Sequence, residues 1–363
     1  MSPPSQAVIR RGERLRSLLR RVVAIERRWP WLLPTVSFAA GWVGFLLVRR
    51  GEDAARIVAL LALCGWFWLL LEPWVRRRLE RRRRRAGNFV VNFISQSLQQ
   101  ELLFFCLPLL IGATKLDAGQ VAFTGLVALA ALLSTVDPLY ERLVATRAAR
   151  RMTFHAFCSW IAALVVLPMV LLVPVERALP ISLLAVGAWL LLTLPLSLYS
   201  LPRWRNRVAW LAGMILVPLT FWELRGQIPA AGLAVTDARM TQTIDGLIPG
   251  APVARIREAD LTQGIIAFAA IRAPAGLSQQ VVFEWRHNGE RERIEVEIHG
   301  GRADGFRAYA RKHAFPADST GLWIVDVLTP QAQLLERLRF VVEAEDRPKD
   351  QLVTPAVRDI PSL

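Results

Sequence analysis

A chain of 363 residues that is 53% hydrophobic, with mean hydropathy +0.34, is too apolar for an ordinary soluble protein and long enough for two domains. Its formal charge of +15 would read as a nucleic-acid signal if spread evenly, but residues 1–223 carry 28 basic and 12 acidic side chains while residues 224–363 carry 17 and 18. The excess is confined to the apolar half, which excludes nucleic acid as a partner and makes the charge a matter of membrane topology.

Residues 1–30 form a basic segment. Within it Ile9, Leu15, Leu18, Leu19, Val22 and Ile25 fall close to helical spacing over 5–28, which predicts a helix lying on the inner leaflet with its arginines toward anionic headgroups. No small-residue cleavage site follows, so the first apolar run reads as an uncleaved anchor. Seven apolar runs come next, at about 31–48, 57–74, 88–112, 119–137, 154–173, 181–201 and 208–223. Between the second and third lies Arg76–Arg85, RRRLERRRRR, which fixes the orientation of everything around it. Starting inside, the cytoplasmic segments 1–30, 75–87, 138–153 and 202–207 hold 23 basic residues and the outer loops 49–56, 113–118 and 174–180 hold 5. The spacing therefore predicts a seven-span helical membrane domain over 31–223, with the N-terminus cytoplasmic and the chain beyond 223 periplasmic in a bacterial inner membrane.

After a Gly-, Ala- and Pro-rich linker at 224–234 the texture changes. Two-residue alternation predicts strands at 237–244, 265–272, 280–287, 292–298, 306–312, 321–328 and 334–342, with turn signals at Asn288-Gly289, Gly300-Gly301 and Ala303-Asp304-Gly305. Seven short strands in 235–343 predict an all-β, antiparallel sandwich, in which Trp285 and Trp323 read as core residues. The polar tail 344–363 reads as disordered. Cys64, Cys106 and Cys158 all fall in apolar runs, so no disulfide is expected in the β region.

The motifs WRHNG (Trp285–Gly289), GGR (Gly300–Arg302), FPAD (Phe315–Asp318) and GLWIVDV (Gly321–Val327) resemble domain-of-unknown-function family 2914. The stretch NFVVNFISQSLQQELLFFCLPLL in the apolar half resembles the companion family 5924 that precedes it. The resemblance implies an immunoglobulin-like sandwich and brings no activity. The chain departs from the first family's pattern at Phe283, Tyr309 and Arg311, where His, Trp and His are expected, so no role at those positions carries over.

Candidate chemistry is sparse. In the third run Asn88, Asn92, Ser95, Gln96, Gln99 and Gln100 share one broad helical face, and Glu101 projects from nearly the opposite side. Such a helix cannot face lipid across its depth. It packs by interhelical hydrogen bonds, lines a polar cavity, or lies at the interface. Glu101 is expected within the span, away from lipid and protonated, with Thr193 or Ser197 as candidate partners. A second, weaker site is Asp137, Tyr140 and Glu141, two carboxylates beside a tyrosine at a proline-stopped helix end. His155, His287, His299 and His313 show no metal-ligand spacing, and no nucleophile, P-loop or dinucleotide motif is present, so neither metal nor cofactor is expected. The leading expectation is a non-enzymatic envelope protein whose sandwich binds a periplasmic protein or glycan. A transporter using the third span, or a lipid- or glycan-modifying enzyme using Asp137 and Glu141, remain the alternatives.

Overall fold

The computed structural model describes residues 85–344 without a break (side chains of 85–90, 92, 93, 117 and 137 excepted), together with 71–78 and positions 35, 39, 43, 64, 65, 67 and 68. The expected surface helix, most of the runs 31–48 and 57–74 and the tail beyond 344 lie outside the described residues. Helix α1 is Arg85–Ala113, α2 Gln120–Thr135, α3 Ala148–Val170, α4 Val175–Leu192, α5 Leu194–Tyr199 and α6 Trp204–Glu223.

Seven spans are not what the described residues support. Three helices are long and apolar enough to cross a bilayer, Ile94–Ala113 within α1, Ala148–Val170 and Val175–Leu192. A fourth counts only if α2 is joined to Pro138–Ala145, across a bend of 102°. The departures have local causes. Val136 turns extended at φ −91°, ψ 96°, and Pro138 has no N–H to continue the ladder, so the run 119–137 ends in a sharp corner. Pro195 likewise splits the run 181–201 into α4 and α5 at Thr193. Helix α6 is 20 residues long, but Arg205 and Arg207 occupy its first turn.

The bundle core is continuous: Leu103, Cys106 and Leu110 of α1 meet Val127 and Ala131 of α2, Ile161 and Val165 of α3 and Leu179 of α4. Phe123, Trp160 and Phe221 tie α2, α3 and α6 together with ring centroids 4.4 to 6.1 Å apart.

The C-terminal part is all β: β1 Ala234–Thr241, β2 Ile244–Asp245, β3 Ile248–Pro249, β4 Arg255–Arg257, β5 Ile265–Arg272, β6 Ser278–His287, β7 Glu290–His299, β8 Phe306–Lys312, β9 Gly321–Leu328 and β10 Leu334–Glu343. One sheet has the order β1-β5-β8, a second β4-β10-β9-β6-β7, and β2 and β3 pair as a separate two-stranded ribbon; all pairs are antiparallel except β4 on β10. Alternation explains the layering. Val281, Phe283 and Trp285 of β6 and Trp323, Val325 and Val327 of β9 point inward, onto Ile265, Ala267 and Ala269 of β5. Asn288 (φ 45°) and Gly289 (φ 85°) make the two-residue hairpin turn between β6 and β7, where positive φ at both positions is required. On the outer face of the larger sheet, Arg337, Asp326, Glu284 and Arg293 stand in register across four strands, with Arg337 Nε 2.6 Å from Asp326 and Arg293 Nε 2.6 Å from Glu284.

The sandwich is seated on the bundle. Buried Gln120 of α2 donates to the Leu334 carbonyl at 3.1 Å, buried Gln333 donates to the Ile228 carbonyl at 3.0 Å, and the Val175 amide donates to Gln279 Oε1 at 2.8 Å. Lys115 Nζ lies 2.6 Å from Glu336, and Ala118 packs on Val282, Leu328 and Leu334. Gly232, at φ 99°, lets the connector pass against Pro168 at the end of α3. The 224–234 linker is thus a packed strap, with Ile228, Ala230, Ala231 and Leu233 buried.

Candidate functional site

Apolar helices carry few polar side chains, so those they do carry must find partners within the bundle. Five of them converge. Glu72, on the helical segment 71–78, accepts from Arg76 Nε one turn later at 2.7 Å; Arg76 Nη2 approaches the same oxygen at 2.5 Å without hydrogen-bond geometry, leaving one true bond and an ion pair. The other Glu72 oxygen is 2.7 Å from His155 Nε2 on α3. His155 Nδ1 contacts the Gln99 amide nitrogen on α1. Tyr140, in the corner after α2, donates its hydroxyl to Gln99 Oε1 at 2.9 Å, its ring set edge-on to Phe154.

Glu72, Gln99 and His155 are 0% exposed, and Tyr140 and Arg76 are 3% and 5% exposed, so the chain of bonds is closed to solvent and lipid. Its polarity follows from donor chemistry. Gln99 turns its amide oxygen to Tyr140 and its NH2 to the histidine. The neutral imidazole that satisfies both contacts therefore carries its proton on Nε2 and donates to Glu72. Glu72 and Arg76 offset each other's charge, so the cluster holds a carboxylate–imidazole pair without net charge. Helix α3 places His155 seven residues from its N-terminus, roughly 10 Å in from the arginine-rich end at 1.5 Å per residue. The sandwich sits at the opposite end.

This arrangement joins residues from both expected sites. Gln99 comes from the polar third run and Tyr140 from the corner site. Gln96 reaches the Ser134 carbonyl at 3.2 Å, and Gln100 is buried. Glu101 stands exposed on the surface of α1, and Glu141 is exposed as well. The expected partners of Glu101 are engaged or placed elsewhere: Thr193 bonds to carbonyls of its own helix, and Ser197 is buried in α5. The Asp137 side chain, with those of Asn88 and Asn92, lies outside the described residues. Glu72, Arg76 and His155 are the members that sequence reasoning missed, although an acid in an apolar run with an arginine four residues on is a readable signal. Among the described residues, no three His, Cys, Asp or Glu side chains converge as a metal site would require.

In the sandwich, Trp323 is buried. It stacks on His287 at 4.3 Å, meets Phe315 edge-on and donates its indole N–H to the Ser319 carbonyl at 2.8 Å. Phe283 is in the core, while Tyr309 and Arg311 flank Phe268 and Ile266 on β5. A cavity of about 230 Å³ opens beside the β6–β7 turn, lined by Arg286, Asn288, Arg291, Leu322 and Ile324. From Gln279 at the seat to His287 beside this cavity is eight residues of strand, roughly 27 Å at 3.3–3.4 Å per residue.

No curated protein and no solved structure matches the chain. Residues 278–342 match the model of a protein family of unknown function, DUF2914. Residues 13–267, well over half of the chain, match that of another family of unknown function, and the chain belongs to that family, DUF5924.

Proposed function

We propose that this is a multi-pass protein of the bacterial inner membrane that holds an immunoglobulin-like sandwich on the periplasmic side and presents it to a protein or glycan partner. The observation that carries the reading is the seat. Gln120, Gln279, Gln333 and the Lys115–Glu336 pair fix the sandwich on the end of the bundle where α1, α3 and α6 finish, whereas Arg85 begins α1 and the arginines of 142–151 and 203–207 lie at or just before the starts of α3 and α6. Basic ends are retained in the cytoplasm, which supports a periplasmic sandwich. A sandwich bolted down at one end offers its far end to partners. There the exposed Leu322 and the half-buried Ile324 of β9 stand beside Arg286 of β6, with Arg291 of β7 beyond it, an apolar patch with guanidinium groups along one edge that suits an interface.

A photo-crosslinking residue at Leu322 in the full chain, expressed in its own cells, should capture one discrete species, and the same residue at Leu116 beside the seat should not. Capture at both positions or at neither removes the reading. Activity of alkaline phosphatase fused after Leu363 tests the orientation separately. The buried Glu72–His155 pair supports a second reading, the transporter class, because an acid–base pair between helices can couple protons to movement. Proton-coupled flux in proteoliposomes that Glu72→Gln abolishes would favour it.

A further inference from the structure

Among the described residues, α2, α3 and α6 meet at Phe123, Trp160 and Phe221 and part from there toward the arginine-rich end. They leave a cavity of about 730 Å³ walled by Leu129, Leu133, Phe157 and Phe221, with Arg147 and Arg150 at its mouth. We propose that this groove is a binding site for one anionic phospholipid, its acyl chains lying along the apolar walls and its phosphate between Arg147 and Arg150.

Three features point to that occupant. Chemistry divides the lining cleanly: the deep part is aliphatic and aromatic, and the charged groups that line it are the two arginines at its mouth. Both arginines are exposed, Arg147 as the residue before α3 and Arg150 in its first turn. A guanidinium offers paired N–H donors to phosphate oxygens, so the mouth is suited to a phosphodiester. Length is the second feature. From Asn206, which also lines the mouth, to Phe221 is fifteen residues of α6, roughly 22 Å at 1.5 Å per residue, and half of a ~30 Å hydrocarbon core is about 15 Å. The groove runs along most of α6 and is thus long enough for the acyl chains of one leaflet below the headgroup layer. The third is the wall between α3 and α6, where Trp210 Nε1 donates to Thr153 Oγ1 at 3.1 Å, an indole held at the depth where aromatic residues meet headgroups. The site rests on the bundle lying in a bilayer. It depends neither on which side is cytoplasmic nor on what the sandwich binds.

The full chain, purified in detergent, is titrated with phosphatidylglycerol and with phosphatidylcholine of the same chain length, and bound lipid is counted by native mass spectrometry. Each near-surface arginine contributes about fivefold to anionic-lipid affinity, so phosphatidylglycerol should be preferred about 25-fold. Arg147→Gln with Arg150→Gln should remove that preference, whereas Arg203→Gln with Arg205→Gln, at the same end but outside the groove, should preserve it. Ala209→Trp, which fills the groove, should weaken both lipids, and Leu129→Trp on the facing wall serves if that variant does not fold. Equal losses from the two arginine pairs would reduce the effect to diffuse surface charge. Undiminished binding after the groove is filled would put the lipid elsewhere. Either result overturns the proposal, as does the absence of a phosphatidylglycerol preference. Release of the chain from membranes by alkaline carbonate would instead overturn the membrane reading beneath it.

Discussion

Replacing Glu72 by glutamine tests whether the buried cluster is a unit. The substituted side chain keeps the shape and one acceptor, but its new NH2 faces either Arg76 or His155, both donors, and the Arg76 guanidinium, with its side chain 6% exposed, loses its anion. Removing one partner of a buried ion pair costs about 3–5 kcal/mol, mainly because the other charge is left unpaired. Arg76→Gln should cost a similar amount by leaving the carboxylate to His155 alone. The double variant buries no unpaired charge, so it should fall short of the summed single effects by about 2 kcal/mol or more. The assay is reversible unfolding of the full chain in mixed micelles at rising dodecyl sulfate fraction, read as a double-mutant cycle at neutral pH. A coupling below about 0.5 kcal/mol is the value of a solvated surface pair and would refute the closed cluster.

His155→Ala should cost about 2–5 kcal/mol in the same assay, because it leaves a Glu72 oxygen and the Gln99 amide without partners as well as a small void. Trp323→Ala should cost about 3–5 kcal/mol in the melting of the sandwich, whereas Leu322→Ala, at the exposed neighbour, should stay within about 0.5 kcal/mol. Gln333→Ala should cost about 1–3 kcal/mol by orphaning the Ile228 carbonyl, and should hasten limited proteolysis between residues 224 and 233; an unchanged cleavage rate would mean the seat does not restrain the strap. Residues 234–344, expressed alone, should melt cooperatively, and residues 278–342 should not; the reverse would contradict the strand order.

The strands were far more legible than the spans. Ile265–Arg272, Phe306–Lys312 and Gly321–Leu328 have the bounds that alternation and turn residues predict. Period-two patterning marks one buried face, and turn chemistry marks where it stops. Strands β2 to β4, of two or three residues, are too short to show a period. Helices that are apolar on most sides offer no such face, so their ends depend on prolines and charges. Pro195 cuts one of the predicted runs, Pro138 turns the chain just past the end of another, and the helix of the last run begins early enough to take in Arg205 and Arg207. The cluster was half legible. Gln99 and Tyr140 stand out as polar groups in apolar surroundings. His155, weighed only for metal-ligand spacing, and Glu72, absorbed into the end of a long apolar run, did not. The pegs of the seat left no signal, because Gln120 and Gln333 bond to backbone carbonyls, which every residue carries.

The two family matches meet between residues 267 and 278, inside the sandwich and not at its edge. Strand β5 begins within the first matched segment and lies at the centre of the three-stranded sheet, between β1 and β8. Ile265 to Ala270 are all buried, one face on the inter-sheet core and the other beneath the flanking side chains of Arg239, Tyr309 and Arg311. Strand β4, also in the first segment, pairs with β10 in the second. Cut at the boundary, the second segment would keep β6 to β10 but lose the β5 residues that cover Phe283 and Trp285, exposing two of its largest core side chains. The first segment holds the bundle core whole, but the second cannot close the sandwich core alone. In this chain, therefore, the first segment supplies β1 to β4 and the start of β5, without which the sandwich is incomplete, and through Gln120, Val175 and the 224–234 strap it also supplies the surface on which the sandwich is mounted.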